Sequence, residues 1–205
     1  SLPKVISEAE SLNCKILVIL EENDIETIKA IQEKKVKIVY QSSKGYGNAI
    51  REGIQKVDTD FMCIFNADGS FDPKYLEEKL LLCKEKYELI FSSRYLDNAG
   101  SDDDTILTKI GNFFFSKFGN IFFGLKLSDI LYTFILGRTS SFKKLNLKSN
   151  DFCLCVEIPI KAKKLNISYK EIPSYERKRI AGFKKVKEFR DGFKILTYMI
   201  KSLFS

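Results

Sequence analysis

Histidine and tryptophan are both absent from this chain of 205 residues, and proline occurs only four times. Without histidine there can be no histidine base, no Ser–His or Cys–His nucleophile pair and no His-ligated zinc. Any acid–base chemistry must therefore come from carboxylates. The sequence also lacks a run of eighteen apolar residues, so it predicts no membrane-spanning helix.

The cysteines are few and badly spaced for a metal or a disulfide framework. Only one pair is close in sequence, as an isolated Cys-x-Cys, and the total is odd: Cys14, Cys63, Cys83, Cys153 and Cys155. Most lie in apolar stretches. We therefore predict buried thiols in a reducing compartment.

Charge is unevenly distributed. Lys and Arg number 34 against 27 Asp and Glu, a net charge of +7. Residues 161–190 are strongly basic, whereas residues 66–104 are balanced or acidic. The basic segment favours an anionic partner (phosphates, a membrane surface or nucleic acid), although a lysine-rich surface can also serve solubility alone. It contains no recognisable nucleic-acid reader motif, so we expect no nucleic-acid partner.

Apolar runs alternate with helical patterns along the chain, which predicts an α/β fold with a mixed, mostly parallel sheet flanked by helices. With 44% hydrophobic residues, the chain should form one domain over 1–205. A sheet of this kind normally opens with a strand, yet this sequence opens with a helix, so we expect a missing first strand. The predicted strands are 15–20, 36–41, 60–66, 88–94, 132–137 and 167–172. The predicted helices are 2–12, 24–34, 46–57, 73–86, 105–123, 152–164 and 187–204.

The segment 60–73, DFMCIFNADGSFDP, contains the most informative pattern. A buried strand runs into an acidic turn, and ligands of open α/β sheets bind just beyond the carboxyl ends of such strands. Asn66, Asp68 and Asp72 offer hard oxygen ligands there, which suit Mg²⁺ or Mn²⁺ held against a diphosphate. The alternative is an Asx-rich turn that only caps the next helix.

A glycine-rich helix entry precedes this segment. Residues 42–54 read SSKGYGNAIREGI, with Gly45 and Gly47 just before the predicted helix. Small residues allow close approach to the sheet or to a ligand. The spacing is neither that of a dinucleotide fingerprint nor that of a Walker motif.

Two segments are unusually apolar. The helix 105–123 has six phenylalanines, and the terminal segment is amphipathic with lysines beside an apolar face. Residues 192–205 therefore suit a helix lying in a membrane interface. Core packing or a homo-oligomer would also bury these side chains.

Several motifs in order resemble family 2 glycosyltransferases, in particular the polyprenyl-phosphate sugar synthases such as dolichol-phosphate mannose synthase. They are KGYGNAIREGI, NADGSFDP, SSRYL (92–96), SDILYTFILGR (128–138), Glu157 and IPSYERKRIAGFKK (172–185). The resemblance implies a GT-A fold and a metal-assisted, inverting transfer from a GDP- or UDP-linked sugar. The acceptor it implies is a polyprenyl phosphate or a glycan, at the cytoplasmic face of the membrane.

The same resemblance assigns roles to residues. Asp68 corresponds to the second Asp of a D-x-D-type metal motif, and Asn66 stands where that motif has its first Asp. Asp129, Arg94 and Arg179 are the implied catalytic residues. The implied donor and phosphate contacts are Glu21, Lys44, Gly45, Asn66, Ala67, Asp68, Arg177 and Lys185. For Glu157, an inward helix carboxylate, we expect a cationic partner such as Arg94.

The sequence departs from the family pattern on the donor side. Asn66 removes one negative charge from the metal motif. At the end of the first predicted strand, Leu20 and Glu21 stand where the family has two acidic residues. Two rivals stay open for this reason. One is a same-fold transferase that acts on a saccharide acceptor for cell-surface polysaccharide, and the other is a non-catalytic relative that binds nucleotide sugar.

Overall fold

The computed structural model describes residues 1–182 and 186–204. The helices are α1 (Leu2–Glu10), α2 (Ile25–Ile31), α3 (Tyr46–Lys56), α4 (Leu76–Glu85), α5 (Ile106–Phe123), α6 (Thr139–Lys144), α7 (Leu154–Lys164) and α8 (Glu188–Ser202). The strands are β1 (Leu17–Leu20), β2 (Lys37–Tyr40), β3 (Phe61–Cys63), β4 (Leu89–Ser93), β5 (Gly100–Ser101), β6 (Leu136–Arg138), β7 (Tyr169–Pro173) and β8 (Tyr175–Glu176). A short 3-10 helix (Pro73–Tyr75) precedes α4.

The strands form a mixed sheet system in which parallel pairs outnumber antiparallel ones. β1 and β2 are parallel, and so are β4 and β7, and β5 and β8. Strand β6 lies antiparallel between β3 and β4, which gives the order β3-β6-β4-β7. The predicted α/β class with a mixed, mostly parallel sheet is confirmed. Over the part of the chain described, β1–β2 is a separate sheet, and the expected additional first strand stays a prediction.

Helices pack on the β1–β2 sheet and on the four-stranded sheet, and one apolar cluster is larger than the others. Helix α3 lies directly on β1, because a Cβ at Gly53 would come within 3.2 Å of the Ile19 side chain. The largest apolar cluster combines buried residues of β4, α5, α7 and α8, with Leu89, Phe115 and Met199 among them. Helix α5 begins with a capping box between Thr105 and Thr108.

All six predicted strands and seven predicted helices are present, with shifted ends. Strand β3 stops at Cys63 because the next residues bend into the acidic turn. Residues 132–135 are not part of β6, and Tyr132 and Phe134 lie in an aromatic cluster with Phe71. Helix α6 and the two-residue strands β5 and β8 had no counterpart among the predictions.

Two further expectations concern the burial of the cysteines and the absence of a membrane-spanning helix. Cys83, Cys153 and Cys155 are buried free thiols, as predicted, and Cys63 is half-buried. Cys14 is exposed, so the prediction of a buried thiol was wrong there, because the loop that carries it leaves the core before β1 begins. Among the described residues, no helix has the length and apolar character needed to cross a membrane.

Candidate active site

A cavity of about 1980 Å³ opens beside the carboxyl ends of β3 and β4. It brings together five of the predicted site residues: Asn66, Ala67, Asp68, Arg94 and Arg179. Five others lie outside its wall: Glu21, Lys44, Gly45, Asp129 and Arg177. Lys185 lies outside the described residues. The cavity continues along β1 at one end and along α5 and α8 at the other.

The acidic turn after β3 presents one carboxylate to this cavity. Asp68 accepts a hydrogen bond from the Ser70 backbone N–H at 3.0 Å, which fixes the turn. Gly69 adopts φ +84°, a left-handed conformation that favours glycine. Asp72 instead accepts from the Lys74 N–H at 3.0 Å and caps the 3-10 helix, so its role here is structural.

Asn66 is held by a tyrosine that the sequence interpretation missed. The Tyr46 hydroxyl lies 2.5 Å from Thr133 Oγ1 and donates a longer bond of 3.4 Å to Asn66 Oδ1. The Tyr46 ring stacks on Phe152 at 5.0 Å, and burial raises the pKa of the hydroxyl. This neutral group leaves the Asn66 carbonyl oxygen oriented at the cavity wall.

The segment that carries Arg177 and Arg179 lies across the acidic turn. The Ile180 N–H donates to the Asp68 carbonyl at 2.8 Å, and the Arg177 N–H donates to the Ser70 carbonyl at 2.8 Å. These bonds bring Arg179 Nη1 to 3.9 Å from Asp68 Oδ2. A cation therefore stands beside the carboxylate that the resemblance assigns to the metal.

Arg179 is also paired with a residue from the acidic loop before α5. Its Nε and Nη2 both donate to the Asp103 carboxylate, at distances from 2.5 to 3.2 Å. This pair raises the pKa of Arg179, chiefly through the hydrogen bond to Asp103. Asp103 was missed because no sequence pattern distinguishes it from its neighbours Asp102 and Asp104.

Arg94 is the best-partnered cation of the site. Its Nε and Nη2 donate to the two oxygens of Asp129 at 2.7 and 3.0 Å, and its Nη1 donates to Glu176 at 3.1 Å. Asp129 is fully buried, and the Arg94 side chain is only 13% exposed. Burial lowers the pKa of Arg94, but Asp129 and Glu176 raise it further. All three nitrogens of the guanidinium thus donate hydrogen bonds to carboxylates. Asp129 itself does not line the cavity.

Glu176 belongs to this cluster although the sequence did not single it out. It also accepts a hydrogen bond from Ser101 Oγ at 2.5 Å. Its pKa is raised by burial, against the opposing effect of Arg94. Glu176 lies within the basic segment 161–190, where no sequence pattern distinguishes it from the other charged residues.

The remaining predicted residues lie outside the cavity wall and have partners within the protein. Arg177 Nη2 donates to Glu8 and to the Phe71 carbonyl, both at 2.7 Å. Glu21 and Lys44 form an ion pair at 3.0 Å. Their predicted donor contacts stay predictions.

The glycine-rich entry of α3 approaches backbone rather than an open space. A Cβ on Gly45 would collide with the Asn150 carbonyl oxygen, and the Asn48 N–H donates to the same oxygen at 3.1 Å. The close approach expected from the sequence is therefore present, with residues 149–151 as its partner. Glu157 orders that segment by accepting from the Lys148 and Ser149 N–H groups at 2.7 and 2.8 Å.

Glu157 has the expected cationic partner, and this partner is another cation, not Arg94. Its carboxylate pairs with Lys161 one helical turn later, at 2.7 Å. Arg94 instead ends β4 near Asp129, where a closer carboxylate satisfies it.

A divalent cation fits the donor set at the acidic turn. Across residues 1–182 and 186–204, no cluster of three or more Cys, Asp and Glu side chains could hold a metal alone. Asp68 supplies one carboxylate and Asn66 one amide oxygen, both at the cavity wall. Magnesium commonly binds through one or two carboxylates together with substrate phosphates. The residues therefore suit Mg²⁺ or Mn²⁺ that shares its coordination with a bound diphosphate.

Comparison with known proteins agrees with this fold. The profile of glycosyl transferase family 2 matches residues 4–146. Mannosyl-3-phosphoglycerate synthase from Rubrobacter xylanophilus superposes with a TM-score of 0.73 at 14% identity, over 100% of this chain and 68% of that one. Glucosyl-3-phosphoglycerate synthase from Mycobacterium tuberculosis, solved with Mn²⁺, UDP and glucosyl-3-phosphoglycerate, superposes with a TM-score of 0.76 at 11% identity, over 99% and 75%.

Proposed function

Since this chain belongs to glycosyl transferase family 2 and is a glycosyltransferase, we propose that it moves a sugar from a nucleotide-diphospho-sugar onto a polyprenyl phosphate at a membrane surface. The observation that carries this proposal is the continuity of one cavity. It is lined by Asp68, Arg94 and Arg179 and also by apolar side chains of α5 and α8.

The donor end suits a metal-bound diphosphate. Asp68 and Asn66 would hold Mg²⁺ or Mn²⁺, which neutralises diphosphate charge when bound. Arg179 stands 3.9 Å from Asp68 and supplies a fixed positive charge for the leaving nucleotide. Arg94 adds a second cation at the cavity wall, held in place by Asp129 and Glu176.

The chemical step requires no histidine. An oxygen of the acceptor phosphate attacks the anomeric carbon, the bond from that carbon to the diphosphate oxygen breaks, and the nucleoside diphosphate leaves. The configuration at the carbon inverts because attack and departure occur on opposite faces. A phosphate is already ionised at neutral pH, so no general base is needed. This agrees with the surroundings of Asp129, which is buried against Arg94 and holds the Arg94 side chain in place.

The acceptor end offers a large apolar surface. On α5, Ile106 is 79% exposed and Phe113 is 64% exposed, and on α8, Phe189 is 84% and Phe193 is 72% exposed. Core packing therefore does not account for these four side chains, although other residues of both helices lie in the core. Exposed cations flank the patch: Lys109, Lys117, Arg190 and Lys201. Apolar side chains beside cations suit an anionic lipid surface, with α8 in the interface plane.

A soluble phosphorylated acceptor is the second candidate. The two relatives named above are synthases of mannosyl- and glucosyl-3-phosphoglycerate, and one structure contains phosphoglyceric acid. The site cations suit the phosphate of either acceptor. A glycan acceptor is a further outcome that the same assay detects. Absence of product with every acceptor would favour nucleotide-sugar binding without turnover.

The experiment is a transfer assay with radiolabelled UDP- and GDP-sugars and Mn²⁺. The acceptors are polyprenyl phosphate in anionic vesicles, 3-phosphoglycerate and an oligosaccharide. We expect product only with polyprenyl phosphate. Product with 3-phosphoglycerate or with the oligosaccharide alone would contradict the lipid acceptor and leave the transferase activity intact.

Vesicle sedimentation tests the membrane surface separately. The double variant Phe113→Ser/Phe193→Ser should partition less onto anionic vesicles, because it removes two exposed apolar side chains. The matched control is Leu81→Ser on α4, since Leu81 is 51% exposed and belongs to neither α5 nor α8. Equal partition of the double variant and the control would count against membrane docking.

A further inference from the structure

Glu171 lies beneath the Arg94–Asp129 pair and has no role so far. It sits on β7 opposite Phe91 of β4 and is half-buried. Its carboxylate accepts from the Ser128 N–H at 2.9 and 3.0 Å, from the Ser128 hydroxyl at 2.9 Å and from the Asp129 N–H at 3.0 Å. Three donors from two consecutive residues therefore meet at one carboxylate.

The segment thus held determines where Arg94 points. Both side-chain oxygens of Asp129 are engaged by Arg94, and one of them also accepts the Arg94 backbone N–H at 3.1 Å. Asp129 is fully buried and has no room to follow a shifted partner. A displacement of residues 128–129 must therefore displace the guanidinium at the cavity wall.

A second contact ties the same segment to the end of β4. The Ser128 hydroxyl lies 2.6 Å from Ser93 Oγ, which in turn accepts the Tyr95 N–H at 3.0 Å. Glu171 therefore orients Ser128, which contacts Ser93 directly. Through Ser93, Ser128 is linked to the Tyr95 N–H on the other side of Arg94. A purely structural role does not explain a carboxylate at position 171, because burial raises the pKa of the Glu171 carboxyl and the nearby Asp129 raises it further.

We propose that Glu171 is a positioning residue for the transfer reaction, which fixes residues 128–129 so that Asp129 holds Arg94 at the cavity wall. The proposal rests on the proposed function for its effect on turnover. Its structural half, the control of Arg94 by Glu171, stands independently of that function.

The test compares Glu171→Gln with Glu88→Gln. In Glu171→Gln the amide oxygen can replace Oε1, which accepts from the Ser128 and Asp129 N–H groups. The NH₂ group then stands where Oε2 accepts from the Ser128 N–H and hydroxyl, so an acceptor is replaced by a donor that faces Ser128. Glu88 is a matched control, because it also accepts three bonds, from Ser168 and Ser141, at the opposite end of the same strand pair. We expect kcat to fall roughly ten- to a hundredfold in Glu171→Gln, as for a small misplacement of a reacting group. KM for the donor should change little, and Glu88→Gln should retain its turnover.

A measurement without turnover separates the two halves of the proposal. In ¹⁵N-arginine NMR, the Arg94 Nε–H should exchange slowly with water in the wild type and faster in Glu171→Gln, but not in Glu88→Gln. Unchanged exchange in a folded Glu171→Gln would overturn the positioning role. Faster exchange in a chain whose wild type transfers no sugar would uphold that role and contradict the proposed function instead.

If Glu171→Gln does not fold, Glu171→Asp provides the same readouts. It keeps the charge and withdraws the carboxylate by one methylene, so it should give a smaller change in the same direction. Wild-type exchange and wild-type kcat in Glu171→Asp would then overturn the proposal.

Discussion

Removing Arg94 should destabilise the protein strongly, because its main partner cannot reach water. Asp129 is 0% exposed and receives two side-chain hydrogen bonds from Arg94 at 2.7 and 3.0 Å. In Arg94→Met the carboxylate keeps its backbone donor from residue 94 but loses its countercharge. Breaking a buried ion pair from one side costs about 3–5 kcal/mol of unfolding free energy.

That loss should be visible as a lower melting temperature. For a chain of this size, each kcal/mol shifts Tm by about 2–4 °C, so Arg94→Met should melt roughly 6–20 °C below the wild type. The assay is urea and thermal unfolding followed by circular dichroism. The second variant Asp129→Asn removes the buried charge, so in the Arg94→Met background it should recover part of the loss.

The control is an exposed pair of the same charge type. Lys15 and Asp58 lie 3.1 Å apart with side chains 74% and 70% exposed, so Lys15→Met should leave Tm essentially unchanged. If Arg94→Met lowered stability by less than about 1 kcal/mol, or if Asp129→Asn gave no recovery, the buried pair described above would be wrong.

Three further predictions concern a buried lysine, the acidic loop and the α3 entry. Lys79 is fully buried, donates to the Phe134 carbonyl at 3.0 Å, and burial lowers its pKa to about 7. Between pH 7 and about 10 the unfolded chain binds one proton more at Lys79 than the folded chain does, so the stability of the wild type relative to Lys79→Met should rise with pH across this window in urea titrations. Asp103→Asn frees Arg179 from its carboxylate partner and should strengthen nucleoside-diphosphate binding several-fold by calorimetry. Gly47→Ala should cost about 1–3 kcal/mol in urea unfolding, since its Cβ would meet the Ser149 and Asp151 carbonyl oxygens.

Each of the three has an outcome that counts against it. A stability difference between the wild type and Lys79→Met that does not change between pH 7 and about 10 would refute the lowered pKa of Lys79. Weaker nucleotide binding in Asp103→Asn would mean that Asp103 supports the site instead of competing for Arg179. For the glycine, Gly111→Ala is the control, because its Cβ would meet nothing within 4 Å, and equal effects of the two substitutions would contradict the packing argument.

The sheet and its acidic turn could be predicted from sequence because both depend on local patterns. The apolar run at 61–65 followed by Asn66 and Asp68 predicted a strand that ends at a site, and the cavity lies there. Helix α6 was missed because its six residues are too short for a periodic signal. The two-residue strands β5 and β8 arise from pairing of distant loops, which no local pattern encodes.

The partners of the site cations could not be predicted for a related reason. Asp103 and Arg179 are 76 residues apart, and Arg94 and Glu176 are 82 residues apart. Composition shows that cations and carboxylates are present, but only the folded chain decides which are neutralised. The glycines show the same limit, since their spacing predicted a close approach and the structure supplied Asn150 as the approaching group.

The central claim is a metal-dependent nucleotide-sugar site at Asp68, and calorimetric titration tests it most directly. GDP, UDP and their sugar conjugates are titrated with and without Mn²⁺ into the wild type and into Asp68→Ala. We predict that one nucleotide class binds only with Mn²⁺ and that Asp68→Ala abolishes this binding. No binding of any nucleotide, or binding that neither Mn²⁺ nor Asp68→Ala changes, would contradict the account.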